Sequence, residues 1–264
     1  MKSFEFHRPQ SVGDAVALLR GRESAKLLAG GQSLLPVLKL DLAQPSDLVS
    51  LAGIPALREI RTEGDSLVIG ALVTHDAVAS SPEVRQRIPA LASLAGSIGD
   101  AQVRNRGTLG GSIAHAEPAA DYPAAVLGLG ATVQTDRRNI AADDFFVGFY
   151  QTALEADEII TAVRFPVPER AAYAKFPHPA SKYAVVGVMV AKTGGGVRVA
   201  VTGAGPRAFR LTALEGALTA RFAPDVVGAD VVAPGDLRTD SEMSAEYRAH
   251  LVSVMAKRAV QACL

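Results

Sequence analysis

The stretch RNRGTLGGSIAHAEPAADYP (residues 104–123) holds three glycines, two carboxylates and two prolines, and no apolar run long enough to bury itself. Such a composition reads as a long polar loop, and long loops inside compact domains are usually functional. Its glycine pair, Gly110-Gly111, stands between Thr108 and Ser112. A second pair, Gly30-Gly31, follows a short apolar run in LLAGGQSLLP (residues 27–36), beside Gln32 and Ser33. Paired glycines reach positive φ and let a backbone approach a ligand closely. Successive N–H groups in such turns form a concave nest for anionic oxygens. The hydroxyls of Ser33, Thr108 and Ser112 add donors. Two nests converging from separate parts of the chain would hold one pyrophosphate without an arginine clamp. Either pair alone reads equally as a plain tight turn, and composition leaves the ligand open.

The rest of the chain narrows the class. At 264 residues, 48% hydrophobic and 20% charged, it is long enough for two or three small domains, or one large one, with real cores. Lys+Arg 27 balance Asp+Glu 27, which removes the electrostatic argument for nucleic acid or an anionic membrane surface. The single cysteine, Cys263, makes no intrachain disulfide framework and cannot hold an iron–sulfur cluster alone. No apolar segment approaches a membrane span. The opening residues MKSFEFHRPQ lack the apolar core of a signal peptide, so a cytoplasmic location is expected.

Residues 11–19 predict a short helix, with Ser11 as N-cap and Val12, Ala15, Val16 and Leu19 on one face. Strands are expected at 26–29 (buried), 66–73 and 125–134 (AVLGLGATVQ), and PALASLAGSIGD (89–100) is more helical. The C-terminal third is β-rich: runs at 184–192 and 197–203 flank TGGG, a hairpin signal. Thr212-x-x-Glu215 reads as a capping box opening a helix. A last helix is expected over 244–262, with Tyr247, Leu251, Val254 and Met255 on one face. Elements mixed without a regular βαβ rhythm give the α+β class.

Other motifs read blandly. GAGPRA (203–208) approximates a dinucleotide fingerprint, but Pro206 and a helix start near Thr212 place the turn too far from a helix N-terminus. It reads as a strand-ending turn, and GLGATV (128–133) as a strand with close backbone packing. His75, His115 and His178 are scattered without paired ligand spacing, so no metal site is expected.

Five segments occur in the order found in one family: LLAGGQSLLP, IGALVTH (69–75), QVRNRGTLGGSIAHAEPAADYPAA (102–125), FFVGFYQTALEADEIITAVRFP (145–166) and KFPHPASKYAVVGVMVA (175–191). The chain resembles the FAD-binding medium subunit of the molybdenum hydroxylases, the family of aerobic carbon monoxide dehydrogenase and of the xanthine dehydrogenase flavin segment. The resemblance covers nearly the whole chain. It implies a two-part FAD-binding domain of the vanillyl-alcohol-oxidase-like (PCMH) type, residues 1–58 and 59–171. A smaller C-terminal α+β domain with antiparallel strands, residues 172–264, would cover the flavin. It also implies that two glycine loops wrap the FAD pyrophosphate. Their matching positions are Ala29, Gly30, Gly31, Gln32, Ser33, Leu34, Leu35 and Pro36, and Thr108, Gly110, Gly111 and Ser112, where relatives commonly show asparagine at the last position. Asp121 matches an aspartate on the cofactor's sugar side, Lys175 a lysine near the flavin, and Tyr183 a residue covering one ring face. The arginine often found just after that lysine is missing from HPASKY.

The function so implied is an electron relay. It would take electrons from a small [2Fe–2S] subunit into FAD and pass them to quinone, NAD or oxygen. Hydroxylation would occur on a large molybdopterin subunit, in a dimer of heterotrimers. No general acid–base constellation is found in this chain, which agrees with that division. The rivals are a self-sufficient FAD-dependent oxidoreductase of a small substrate and a non-catalytic scaffold that has lost the cofactor. The substrate of the complex is not written in this chain.

Overall fold

The computed structural model describes residues 2–264 and contains three main sheets. In the N-terminal part, β1 (Glu5–His7), α1 (Val12–Arg20), β2 (Lys26–Leu28), α2 (Leu34–Lys39) and β3 (Asp47–Ser50) build a parallel sheet of order β1-β3-β2. The Ser11 hydroxyl accepts from Asp14 N–H at 3.1 Å and starts α1, which turns Ala15, Val16 and Leu19 onto Val49 and Leu51. The run at 26–29 is therefore an edge strand rather than a buried one, and Gly30 follows its half-buried C-terminal end.

A five-stranded antiparallel sheet follows, made of β4 (Ile60–Glu63), β5 (Ser66–Gly70), β6 (Thr132–Thr135), β7 (Asn139–Ala141) and β10 (Ile160–Pro166) in the order β4-β5-β10-β6-β7. Between β5 and β6 run six helices: α3 (His75–Ser80), α4 (Pro82–Arg87), α5 (Pro89–Gly96), α6 (Ala101–Arg106), α7 (Leu109–His115) and α8 (Tyr122–Gly128). Helix α9 (Ala142–Phe145) and the small hairpin β8 (Phe146–Gly148) and β9 (Gln151–Thr152) complete this part.

Two expectations fail here. The stretch 104–123 is not a structureless loop, because Thr108 caps α7 and α8 begins at Tyr122. Residues 125–134 are not one strand: every residue of α8 is buried, Gly130 breaks the chain at φ +63°, and only 132–135 extend. An apolar run has no periodicity by which a buried helix can be told from a buried strand. Gly128 does pack closely, as a Cβ there would lie 2.6 Å from Met189 Cγ, but it does so as the last residue of a helix.

The last part is a four-stranded antiparallel sheet, β11 (Arg170–Pro177), β12 (Ala184–Thr193), β13 (Gly196–Thr202) and β14 (Phe209–Arg210), with α10 (Thr212–Ala220) and α11 (Ala245–Ala262). Side chains alternate across a strand. Accordingly Met189 and Ala191 of β12 join the core of the five-stranded part, while Val186, Val188 and Val190 join Leu218, Leu251 and Met255 beneath α10 and α11. The hairpin at TGGG, the strand-ending turn at Gly203 (φ +83°) and the Ser244-capped last helix form as expected. The capping box does not. Thr212 is the first helical residue and makes no cap, while the Glu215 carboxylate accepts from Val199 N–H at 2.9 Å and pairs with Arg210. The five-stranded sheet ends at Pro166 and β11 begins at Arg170, so a boundary at 171/172 would fall inside a strand.

Candidate functional site

The first glycine loop leaves β2 and runs into α2. Gly31 has φ +78°, a backbone conformation that side chains rarely adopt. At Gly30 there is no room for a side chain: a Cβ would fall on the carbonyl of Arg106 and stand 2.9 Å from Gly107 Cα. The first loop thus rests directly on the chain that leads into the second. Gly107 is tight in turn, since its Cβ would lie 2.5 Å from His75 Nε2. The second loop returns the contact, for a Cβ on Gly111 would lie 3.4 Å from Ala29 Cβ. The two glycine pairs, far apart in sequence, therefore meet.

They differ in what they offer. Among the described residues, the N–H groups of Gly30, Gly31, Gln32 and Ser33 have no acceptor within the protein. In the second loop the four N–H groups from Leu109 to Ser112 are engaged: Leu109 donates to Val73 O at 3.0 Å, Gly110 to Ala71 O at 2.9 Å, Gly111 to Thr108 Oγ1 at 3.1 Å and Ser112 to Thr108 O at 3.0 Å. The expected second nest is not formed, because Leu109 and Gly110 spend their donors on the 71–73 segment and Gly111 and Ser112 spend theirs on starting α7. Gly110 is needed instead for close approach, as its Cβ would stand 2.6 Å from Ala71 Cβ.

Both loops line one cavity of about 740 Å³. Its wall includes Ala29 through Leu34, Thr108, Gly110 to Ser112, Asp121 and Tyr183. Leu35, Pro36 and Lys175 do not line it. Leu35 packs behind Gly31, its Cδ1 standing 2.9 Å from where a Cβ would be, and Pro36 is exposed on α2. Lys175 stands behind Asp121, its Nζ 3.0 Å from the carboxylate, which also accepts from the Tyr173 hydroxyl at 2.6 Å. Burial pushes the Asp121 carboxyl above its ordinary range, against the pull of Lys175 and Tyr173.

Tyr183 is 45% exposed at the rim, on a turn held by His178, whose Nδ1 accepts from the N–H groups of Ala180 and Ser181 at 3.2 Å. At another part of the wall Glu117 accepts from the Tyr150 hydroxyl, carried on the β8–β9 hairpin, and the ring of His115 lies 5.1 Å from that of Tyr150. His75 lines the cavity, is 5% exposed, and packs at a tilt against Tyr122 with ring centroids 5.3 Å apart. Burial and the nearby Arg104 charge lower its pKa to about 4, so it is neutral at pH 7. Sequence reasoning left His75 unassigned and missed Gly107, Glu117 and Tyr173. The glycine in RNRGT was the available signal for Gly107. Nothing in the sequence marks Tyr173, which reaches the site only through sheet pairing.

Comparison with known proteins fits this geometry. Residues 2–168 match the family described as "FAD binding domain in molybdopterin dehydrogenase". The carbon monoxide dehydrogenase medium chain of Hydrogenophaga pseudoflava is 40% identical over 98% of this chain and 96% of its own length. The nicotine 6-hydroxylase medium subunit of Paenarthrobacter nicotinovorans is 37% identical over 98% and 97%. A solved structure of carbon monoxide dehydrogenase from H. pseudoflava, lacking the Mo-pyranopterin moiety, superposes with a TM-score of 0.92 at 41% identity, covering 99% of this chain and 97% of that one. A family match over more than half the chain, near full-length relatives and a shared α+β fold agree with one another. The chain belongs to the FAD-binding medium subunits of the molybdenum hydroxylases, and is an oxidoreductase subunit of that family.

Proposed function

We propose that this chain is the electron-transfer subunit of a molybdenum-containing hydroxylase or dehydrogenase complex. In this reading a small partner subunit delivers electrons from a [2Fe–2S] cluster, and a large molybdopterin subunit oxidises the substrate. Quinone, NAD or oxygen is the final acceptor, and the complex is a cytoplasmic dimer of heterotrimers. The parts up to Pro166 hold the cofactor, and the part from Arg170 onward backs the cavity and brings Tyr183 to its rim. The observation that carries the reading is the run of four N–H groups at 30–33 that no protein acceptor engages, on the wall of a cavity that also carries the buried Asp121.

FAD fits these residues. Its diphosphate accepts from N–H donors, and its sugar hydroxyls donate to a carboxylate. The cavity is also within the usual size range for ligand pockets. When bound, the flavin supplies a redox centre able to exchange electrons singly or in pairs. The chain's own part is binding and exclusion of water. Gly30, Gly31, Gln32 and Ser33 hold the diphosphate through their backbone, with the side chains of Gln32, Ser33 and Ser112 as further donors. Ala29 and Leu34 shape the loop, Leu35 and Pro36 brace it, and Thr108, Gly110 and Gly111 fix α7 against it. Asp121, backed by Lys175, takes the sugar hydroxyls, and Tyr183 covers one face of the ring. Among the described residues, no helix is long and apolar enough to cross a membrane.

Purified chain mixed with FAD is expected to turn yellow and to quench flavin fluorescence. With the two partner subunits added, its flavin should be reduced by the substrate of the complex. A chain that stays colourless with FAD and both partners would overturn the proposal.

A further inference from the structure

Tyr173 and Lys175 are two residues apart on β11, so both project from the sheet face that packs on α5 and α8. Asp121, at the start of α8, lies between them and the cavity: it lines the cavity, is 3% exposed, and neither Tyr173 nor Lys175 reaches the wall. The Tyr173 hydroxyl donates to Asp121 Oδ1 at 2.6 Å. Lys175 Nζ stands 3.0 Å from both carboxylate oxygens and donates also to Ser97 O at 3.3 Å. Gly187, the partner of Lys175 across β11 and β12, has no room for a side chain, because its Cβ would fall on the Tyr173 hydroxyl. Both carboxylate oxygens are thus held by β11, Oδ1 by the Tyr173 hydroxyl and Oδ2 by the Lys175 ammonium.

We propose that Tyr173 and Lys175 are positioning residues that fix the Asp121 carboxylate for the sugar hydroxyls of the cofactor, so that the four-stranded sheet sets how tightly the cofactor is held. This rests on reading the cavity as the FAD site. The same arrangement makes Gly187 part of the site at one remove: any side chain there would displace the Tyr173 hydroxyl and release Asp121.

The test is ligand-selective. Affinity for FAD is measured by fluorescence titration of the full chain, and affinity for inorganic pyrophosphate by its competition with FAD. Tyr173→Phe is expected to weaken FAD by about tenfold or more, the worth of a hydrogen bond to a charged group, while pyrophosphate affinity stays unchanged. In an Asp121→Asn background the same change should add little, since both act through one carboxylate. Gly187→Ala, which leaves Tyr173 in place but evicts its hydroxyl, should copy Tyr173→Phe and decides the matter if that variant does not fold. Equal losses for FAD and pyrophosphate would mark a merely structural role and overturn the proposal. So would additive effects with Asp121→Asn, or FAD affinity unchanged in Tyr173→Phe. Wild-type chain that takes up no FAD would instead defeat the reading of the site before any variant is compared.

Discussion

Single atoms decide the behaviour of Gly30 and His75. A methyl group at position 30 would fall on the Arg106 carbonyl, so Gly30→Ala must push apart the two loops that share the cavity. Its FAD affinity is expected to drop by at least about tenfold in a fluorescence titration, because one such clash costs more than the 1.4 kcal/mol that a factor of ten represents. His75 titrates below its unfolded value of 6.5, at about 4, with its ring buried against Tyr122. Between those pH values the unfolded chain binds the extra proton, so this contribution to stability is complete above pH 6.5 and is lost as pH falls toward 4. About 2 kcal/mol should disappear between pH 7 and pH 5 in urea denaturation followed by circular dichroism. His75→Phe, which keeps the ring contact without the titration, should lack that slope. At this scale the sequence was half legible. Glycine pairs announce close approach, but the partner of a glycine and the fate of an N–H group belong to the three-dimensional path. That is why Gly110-Gly111 looked like a second anion nest when its donors go to Ala71 and Thr108.

Secondary-structure elements were legible where a period or a cap identified them, and not otherwise. Ser11 and Ser244 mark their helices because a hydroxyl facing an unpaired N–H is a local event. The 184–203 hairpin is equally local. Helix α8 was misread because a fully buried helix has no polar face to give its period away. Thr212 and Glu215 had the right spacing for a box, yet tertiary partners won: Glu215 is 6% exposed, accepts from Val199 N–H and pairs with Arg210. Urea melts can separate the two roles. Thr212→Ala should be nearly neutral, within about 0.5 kcal/mol. Glu215→Ala should cost about 2–3 kcal/mol, since it strands a backbone donor inside the sheet.

At the scale of the whole molecule, the five-stranded part and the four-stranded sheet share one core. Met189, Ala191 and Ala200 from the latter sit among Leu91, Tyr122 and Val126. Arg198 and Arg210 add ion pairs to Asp143 across the same junction, at 2.7 and 3.1 Å. Parts that share a core do not melt separately. Calorimetry should therefore show one cooperative transition for everything downstream of residue 59, and Gly128→Val, which drives a side chain into Met189, should lower it as a unit. The sequence showed the α+β class and the family. It did not show that the third part supplies the backing of the cavity, since a strand's neighbours are set by topology rather than by order.

β12, buried on both sides, also dictates an order of events during synthesis. Its Val186, Val188 and Val190 row is shielded by α11, which is translated only long afterwards. Until then the nascent chain shows solvent a ready-made sticky strand. Ribosomes stalled before residue 245 should accordingly carry bound chaperone, and those that have released α11 should not.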